Sequence, residues 1–239
     1  MLANAKKLHA LGVAGTRGNP VPVRVSEVFL SIQGEGPSAG TPAHFLRLQG
    51  CDVGCAWCDS KYTWDAAGGR ETTLAEVWRE AEKLGEAPMI VVTGGEPLEH
   101  PGIDAVLSEA ITRWPRVEVE TSGIVPPPLT HTRLYYNVSP KLPSATSRWE
   151  DTWHAIDRWK AEPRATFKIV VGDSPDDERA LELIRRHDLP RDRVMLMPEG
   201  MTDVILRQRA ATLARVCMRE GLRLGPRLHV WMWGARRGM

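Results

Sequence analysis

The sequence predicts an α/β fold: a partial, incomplete parallel β/α barrel of about six to seven strands, with helices outside. From about Ala43 onward, short apolar runs alternate with segments of 3.6-residue apolar period. Strands that alternate with helices pair in parallel through right-handed crossovers, and the helices cover the sheet. The runs are too few for a full barrel of about eight strands, so the sheet stays open.

The strand candidates are residues 43–49, 89–93, 116–121, 134–139, 166–171, 194–198 and 223–233. Upstream, residues 27–36 read as a strand followed by a turn. The first helix is capped by Thr73 with Glu76 three residues later; Leu74, Val77, Ala81 and Leu84 form its stripe and Gly85 ends it. A second helix covers 176–187, with Ala180, Leu183 and Ile184 facing inward, and the last covers 202–220. Trp78, Trp114, Trp149 and Trp159 read as packing residues. No repeat, low-complexity segment or linker divides the chain, and Pro126-Pro127-Pro128 is a short rigid connection. The expected organisation is a poorly ordered tail over 1–22 and a single domain over 23–239.

Lys and Arg number 31 against 30 Asp and Glu, so no global field attracts nucleic acid or a membrane surface. The first residues lack the apolar run of a secretory signal, and no segment approaches a membrane span. A cytoplasmic setting is therefore expected. There thiols stay reduced, and clustered cysteines point to metal or catalysis rather than disulfides.

Such a cluster is present: Cys51, Cys55 and Cys58, in the spacing C-x3-C-x2-C, with no fourth cysteine near them. That spacing can hold three irons of a four-iron cluster and leave the fourth open to a small molecule. A buried helical stripe would share the spacing, but Gly50, Asp52, Gly54 and Asp59 argue against a helix there. A structural zinc site wants four closed ligands, and no second half exists. Cys217 falls in the stripe Leu206, Ala210, Leu213 and Cys217, and reads as a small core residue. A zinc module or a non-catalytic iron–sulfur carrier is the alternative from a different class.

In a parallel sheet the functional loops lie beyond the carboxyl ends of the strands. Five such places stand out: Gly50-Cys51, Thr93-Gly94-Gly95-Glu96-Pro97, Glu120-Thr121-Ser122-Gly123, Ser139-Pro140-Lys141 and Met197-Pro198-Glu199-Gly200. All are expected at one mouth. Paired glycines let the main chain approach a bound molecule, although alone they suit a plain turn equally. Gln33 and Glu35 suit a heterocycle edge rich in N–H donors and carbonyls, such as a pterin. Arg47 suits a substrate carboxylate, with a surface ion pair as the plainer reading. His229, expected on the last strand, reads as a structural histidine.

The cysteine triplet, Trp57 before its last member, and Gly94-Gly95-Glu96-Pro97 together resemble the radical S-adenosylmethionine superfamily. That resemblance implies an open iron that chelates the amino and carboxylate groups of S-adenosylmethionine. One electron from a cluster of very low potential then splits the sulfonium, giving methionine and a 5′-deoxyadenosyl radical that abstracts hydrogen.

Ile32-Gln33-Gly34-Glu35-Gly36, Phe45-Leu46-Arg47, Asp59-Ser60, Glu120-Thr121-Ser122-Gly123 and Val138-Ser139-Pro140-Lys141 narrow the resemblance. From about Val23 to its end the chain is similar to the 7-carboxy-7-deazaguanine synthase family. The implied reaction converts 6-carboxy-5,6,7,8-tetrahydropterin to 7-carboxy-7-deazaguanine with loss of ammonia, in queuosine or related 7-deazapurine synthesis. By motif, Ile32, Gln33, Gly34, Glu35, Arg47 and Thr93 would contact the pterin. Trp57, Cys58, Asp59, Gly95, Ser139, Pro140 and Lys141 would contact S-adenosylmethionine. Met197, Pro198, Glu199 and Gly200 match the family's last cofactor segment less closely, since Gln often stands first there.

Ser60 stands where the family carries a magnesium-binding Thr or Ser. One neutral hydroxyl cannot hold the ion alone, so magnesium is expected to bind with substrate. The plainer reading of Ser60 is a turn cap. The resemblance also implies a homodimer and a flavodoxin or ferredoxin as electron donor. A glycyl-radical-enzyme activating enzyme is the rival within the superfamily. It is short and uses the same cysteine loop, but acts on a protein. Gln33-Gly34-Glu35-Gly36 and an extended C-terminal strand favour the small-molecule enzyme.

Overall fold

The structure, a computed structural model, describes residues 22–234 and 236–239. The expected tail therefore lies outside the described residues, except for Pro22, which opens the first strand. Strands β1 (Pro22–Ile32) and β2 (Pro42–Leu48) pair antiparallel, and β3 (Arg70–Thr73) lies along the far side of β1. From β2 the sheet continues in parallel through β4 (Met89–Gly94), β5 (Arg116–Thr121), β6 (Leu134–Val138), β7 (Ala165–Val171), β8 (Val194–Pro198) and β9 (Arg223–Leu224). The order β3-β1-β2-β4-β5-β6-β7-β8-β9 has two free ends, so the barrel is incomplete. Its parallel part holds the expected number of strands.

The helices α1 (Leu74–Lys83), α2 (Ile103–Arg113), α3 (Ile156–Ala161), α4 (Asp176–Arg186), α5 (Asp203–Glu220) and α6 (Leu228–Trp233) complete the chain. The capping box of α1 forms: the Glu76 N–H donates to the Thr73 hydroxyl (3.3 Å), and the Thr73 N–H to the Glu76 carboxylate (3.1 Å). Leu74, Val77 and Ala81 are buried as expected. Trp78 joins them, whereas Leu84 lies beyond the helix and is exposed. Ala180, Leu183 and Ile184 bury the inner face of α4, and Gly221 ends α5 in the left-handed region at φ 66°. Trp78 and Trp114 meet edge to face at 5.4 Å in the core between sheet and helices, and Trp159 is fully buried there. No helix among the described residues is long and apolar enough to cross a membrane.

Residues 223–233 are not one strand. β9 stops at Leu224, and the apolar run after it coils into α6. The Gly225 N–H still donates to the Leu196 carbonyl (2.7 Å), but Pro226 has no N–H for a ladder, and the strand ends there. The helix instead docks through the Leu228 N–H, which donates to the carbonyl of Gly34, in the loop between β1 and β2, at 2.9 Å.

The two faces of the sheet differ in chemistry. Side chains alternate along each strand. Ile90, Val92, Val117, Val119, Val138, Phe167 and Ile169 point into the core under the helices. On the inner face β5 carries Glu118 and Glu120, β6 carries Asn137 and β7 carries Lys168; Glu118, Asn137 and Lys168 are fully buried. A charged barrel interior is thereby built opposite an apolar exterior.

Candidate active site

The cysteine loop leaves β2 through Gly50, whose φ of 103° suits only glycine. Its shape is set by hydrogen bonds to neighbouring segments. The Gly50 N–H donates to the Thr63 carbonyl (2.7 Å), the Ala56 N–H to the Ala145 carbonyl (2.8 Å), and the Thr146 hydroxyl to the Val53 carbonyl (2.6 Å). The loop is not helical, and its three cysteines are half-buried free thiols. All three border a cavity of about 190 Å³ together with Gly94 at the end of β4, Gly95 and Glu96 after it, Ser122 after β5, Lys141 after β6 and Met197 of β8. The loops after β2, β4, β5 and β6 and the end of β8 meet at one mouth.

The donor set suits a cluster. Among the described residues no three His, Cys, Asp or Glu side chains could hold a single metal ion. In a cubane, by contrast, each thiolate takes a different iron, so three cysteines spread around a cavity suffice. Burial pushes the Cys51 thiol up to about 11 and raises Cys55 as well, so these thiols ionise when a metal supplies the compensating charge. The Ser60 N–H donates to the Cys58 Sγ at 3.4 Å.

Gly94-Gly95 is locked against this loop. The Gly95 N–H donates to the Leu48 carbonyl (3.2 Å) and the Glu96 N–H to the Gly50 carbonyl (2.9 Å). A Cβ on Gly95 would stand 2.1 Å from the Gly50 oxygen and 2.6 Å from the Cys51 Cβ. The buried Glu96 carboxylate accepts from the Thr121 hydroxyl (2.7 Å), the Ser122 N–H (2.7 Å) and the Ser122 hydroxyl (2.6 Å), joining the loops after β4 and β5. Gly95→Ala is therefore expected to cost about 1–3 kcal/mol through overpacking and to lower the iron bound per chain. A thermal midpoint and iron content equal to wild type would show that the loop yields instead.

A second cavity of about 420 Å³ adjoins the first, sharing Glu35, Asp59, Ser60, Thr93, Gly94 and Glu120 with it. All six residues expected at a pterin, Ile32, Gln33, Gly34, Glu35, Arg47 and Thr93, border this larger cavity. Phe29 and Phe45, stacked at 4.8 Å, give it a flat apolar wall. Of the residues expected at S-adenosylmethionine, Trp57, Cys58, Asp59, Gly95, Ser139, Pro140, Lys141 and Met197 border the smaller cavity, but Pro198, Glu199 and Gly200 do not. Pro198 is buried in β8, Glu199 pairs with Arg209, and the Gly200 carbonyl accepts from Arg227 (2.7 Å). The Ser60 hydroxyl makes no cap to the turn that follows it; it donates to Asp59 Oδ1 at 3.2 Å.

Residues 46–134 match the model of the radical SAM superfamily. The 7-carboxy-7-deazaguanine synthase of Pyrobaculum aerophilum is 38% identical over 220 residues, covering 90% of this chain and 97% of that protein. The enzyme of the same name from Hyperthermus butylicus is 34% identical, over 87% and 92% of the two chains. The chain belongs to the 7-carboxy-7-deazaguanine synthase family. The crystal structure of QueE from Escherichia coli superposes with a TM-score of 0.64 at 28% identity, covering 85% of this chain and 93% of that one. A structure of TYW1 with a lysine–pyruvate adduct, at 13% identity and a TM-score of 0.51, shares the fold alone.

As a 7-carboxy-7-deazaguanine synthase family member, this chain is a radical SAM enzyme that uses a 4Fe–4S cluster and S-adenosylmethionine. The carrier, zinc and activating-enzyme alternatives fall away. The extended C-terminal strand expected to distinguish this chain from an activating enzyme is a helix from Leu228 to Trp233.

Between the two cavities of this family member lies a charge network that sequence reasoning missed. The Lys168 ammonium donates to Glu35 Oε2 (2.8 Å) and to Glu120. Arg227 bridges Glu35 Oε1 (3.1 Å) and Asp59 Oδ2 (2.5 Å). The Gln33 amide donates to Glu118 (3.2 Å) and Glu120 (3.1 Å), as does that of Asn137 (3.0 Å to each). Burial alone would push Glu35 up, but Lys168 and Arg227 more than reverse it and hold its carboxyl well below the usual range. Burial pushes Glu120 up; it shares Lys168 with Glu35 and faces Glu118, so it stays above its ordinary value. Lys168 loses by burial and gains more from its two carboxylates, which keep it firmly charged.

His229, expected on a strand, lies on a helix. It borders the larger cavity from α6, its Nε2 3.9 Å from Glu35, and burial lowers its pKa. A Cβ on Gly34 would stand 2.2 Å from its Nδ1, which explains that glycine. The signal for Lys168 was present in the sequence: one cation inside the apolar run 166–171.

Proposed function

We propose that this chain converts 6-carboxy-5,6,7,8-tetrahydropterin to 7-carboxy-7-deazaguanine with loss of ammonia, in queuosine or related 7-deazapurine synthesis. The observation that carries this reading is the junction of the two cavities, one ringed by three free thiols, the other by Arg47, Gln33, Glu35 and the stacked phenylalanines. Residues 23–239 act as one catalytic domain. Cys51, Cys55 and Cys58 hold the cluster, which with S-adenosylmethionine supplies a hydrogen-abstracting radical. Gly95, Ser139, Pro140 and Lys141 cradle that cofactor, with Trp57, Asp59 and Met197 beside them. Arg47 takes the substrate carboxylate, and the flat Phe29–Phe45 wall takes the ring face. Lys168 holds Glu35 and Glu120 in place where the cavities meet, and His229 and Val230 of α6 line the larger cavity and help exclude water.

Ser60, with Asp59 beside it, would help hold magnesium together with water and substrate oxygens. Ser60→Ala is expected to raise the magnesium concentration for half-maximal turnover about ten-fold, since losing one hard ligand costs about 1.4 kcal/mol, with iron content unchanged. Superimposable magnesium titrations would contradict the assignment. A flavodoxin or ferredoxin supplies the electron, and the chain works in the cytoplasm as a homodimer. Trp231 and Met232, exposed on α6, suit a subunit contact.

The deciding experiment is anaerobic turnover. Reconstituted protein, reductant, S-adenosylmethionine and magnesium are given the carboxypterin, and the product is identified by mass. Formation of 5′-deoxyadenosine with no deazaguanine from this substrate would sink the assignment.

A further inference from the structure

A β-bulge in β1 sets up a contact that the reaction as outlined does not use. Val25 stands opposite Leu48, but Glu27, not Ser26, stands opposite Arg47. The inserted residue turns the Glu27 carboxylate onto the inner face, directly across from the guanidinium. Three elements converge on that carboxylate. Its Oε1 accepts from Arg47 Nε on β2 (2.7 Å) and from the Tyr62 hydroxyl just past the cysteine loop (2.7 Å). Its Oε2 accepts from Arg237 Nε (3.0 Å), and the Arg237 guanidinium lies 4.1 Å over the Tyr62 ring. Arg47, Tyr62 and Arg237 all border the larger cavity.

We infer that Glu27 is a positioning residue: it grips Arg47 by Nε and so aims the outer edge of the guanidinium at the carboxylate of the substrate. The inference rests on the pterin reading given above. Among the described residues, Nε is the one guanidinium nitrogen of Arg47 that donates a hydrogen bond to a side chain or carbonyl. The two terminal nitrogens are the edge that binds a carboxylate bidentately. The grip is partly buried, with Glu27 and Arg47 side chains 14% and 18% exposed. Burial alone would raise the Glu27 carboxyl; the Tyr62 hydroxyl and the two guanidiniums outweigh it, so the group stays an anion. Aim competes with charge here. An anion beside Arg47 weakens the bare attraction for a second carboxylate, so a purely electrostatic Glu27 would bind substrate better once removed.

The test compares Glu27→Ala with Glu27→Gln, which keeps one oxygen for Arg47 and Tyr62. In Glu27→Ala, KM for the carboxypterin is expected to rise about ten-fold with kcat within about two-fold, the pattern of lost uniform binding. Glu27→Gln should recover most of that loss. Inhibition by a tetrahydropterin lacking the carboxylate should not change, and Glu27→Ala should add nothing in an Arg47→Ala background. A fall in KM, an equal loss for both ligands, or additive effects with Arg47→Ala would overturn the inference. Should Glu27→Ala unfold, Glu27→Asp, which withdraws the carboxylate by one methylene, is put through the same comparison. Wild-type protein that neither binds nor turns over the carboxypterin would remove the pterin reading and this inference together. Normal wild-type turnover with any overturning result removes this inference alone.

Discussion

Alanine at any one of Cys51, Cys55 or Cys58 is expected to bring 5′-deoxyadenosine formation below about a thousandth of wild type, a loss of more than about 4 kcal/mol of transition-state stabilisation. Each of these side chains borders the smaller cavity as a free thiol, and no other cysteine lies near. Cys217 cannot substitute. It is buried on α5, its thiol turned to the Arg223 carbonyl at 3.6 Å. A cluster held by two thiolates would leave two irons without protein ligands, and its geometry towards S-adenosylmethionine would no longer be defined. The measurements are iron per chain and anaerobic quantification of deoxyadenosine, with Cys217→Ala as the control that keeps both. Cleavage retained in any of the three variants would refute its place as a cluster ligand.

Lys168→Ala should cost about 3–5 kcal/mol of stability, because it strands buried carboxylates rather than removing a pair. At this chain length that is about 6–20 °C in thermal midpoint. Glu35 would keep Arg227, whereas Glu120 would face Glu118 with no ammonium between the cavities. The sign of the pH dependence follows. A carboxyl whose folded pKa lies above its unfolded value favours folding below the unfolded pKa, and that contribution is lost as pH rises through the folded pKa. Glu120 already lies on the raised side, and removing Lys168 pushes it further. The deficit of the variant should therefore shrink as pH falls from about 8 to about 5, and Glu120→Gln should restore part of it. Calorimetry or circular dichroism at the two pH values decides. A midpoint equal to wild type at both would mean that water enters and solvates the carboxylates.

Local chemistry made much of this protein readable in advance. Thr73 and Glu76 cap α1 because both partners lie within one turn, so no distant residue is needed. The cysteine spacing and the Gly94-Gly95 pair work in the same way: loop atoms must approach closely, and only certain residues permit it. The edge strand β3 was invisible, since Arg70-Glu71-Thr72-Thr73 has no apolar alternation and is held by pairing with β1. The C-terminal apolar run looked like a strand because a short hydrophobic segment carries no period long enough to tell the two apart.

What the residues alone determined is the reaction class: three thiols on a tight loop, a glycine pair that lies against them, and strands whose ends meet at one rim. Tertiary structure decided what that rim encloses. Val117-Glu118-Val119-Glu120 alternates like a strand with one wet face, yet the curvature of the sheet turns that face inward. Lys168 and Glu35 are 133 residues apart and Arg227 and Asp59 are 168 apart, so no local pattern links them. Their pairing exists because charges taken out of water must find partners inside, and only the tertiary fold determines which ones are within reach.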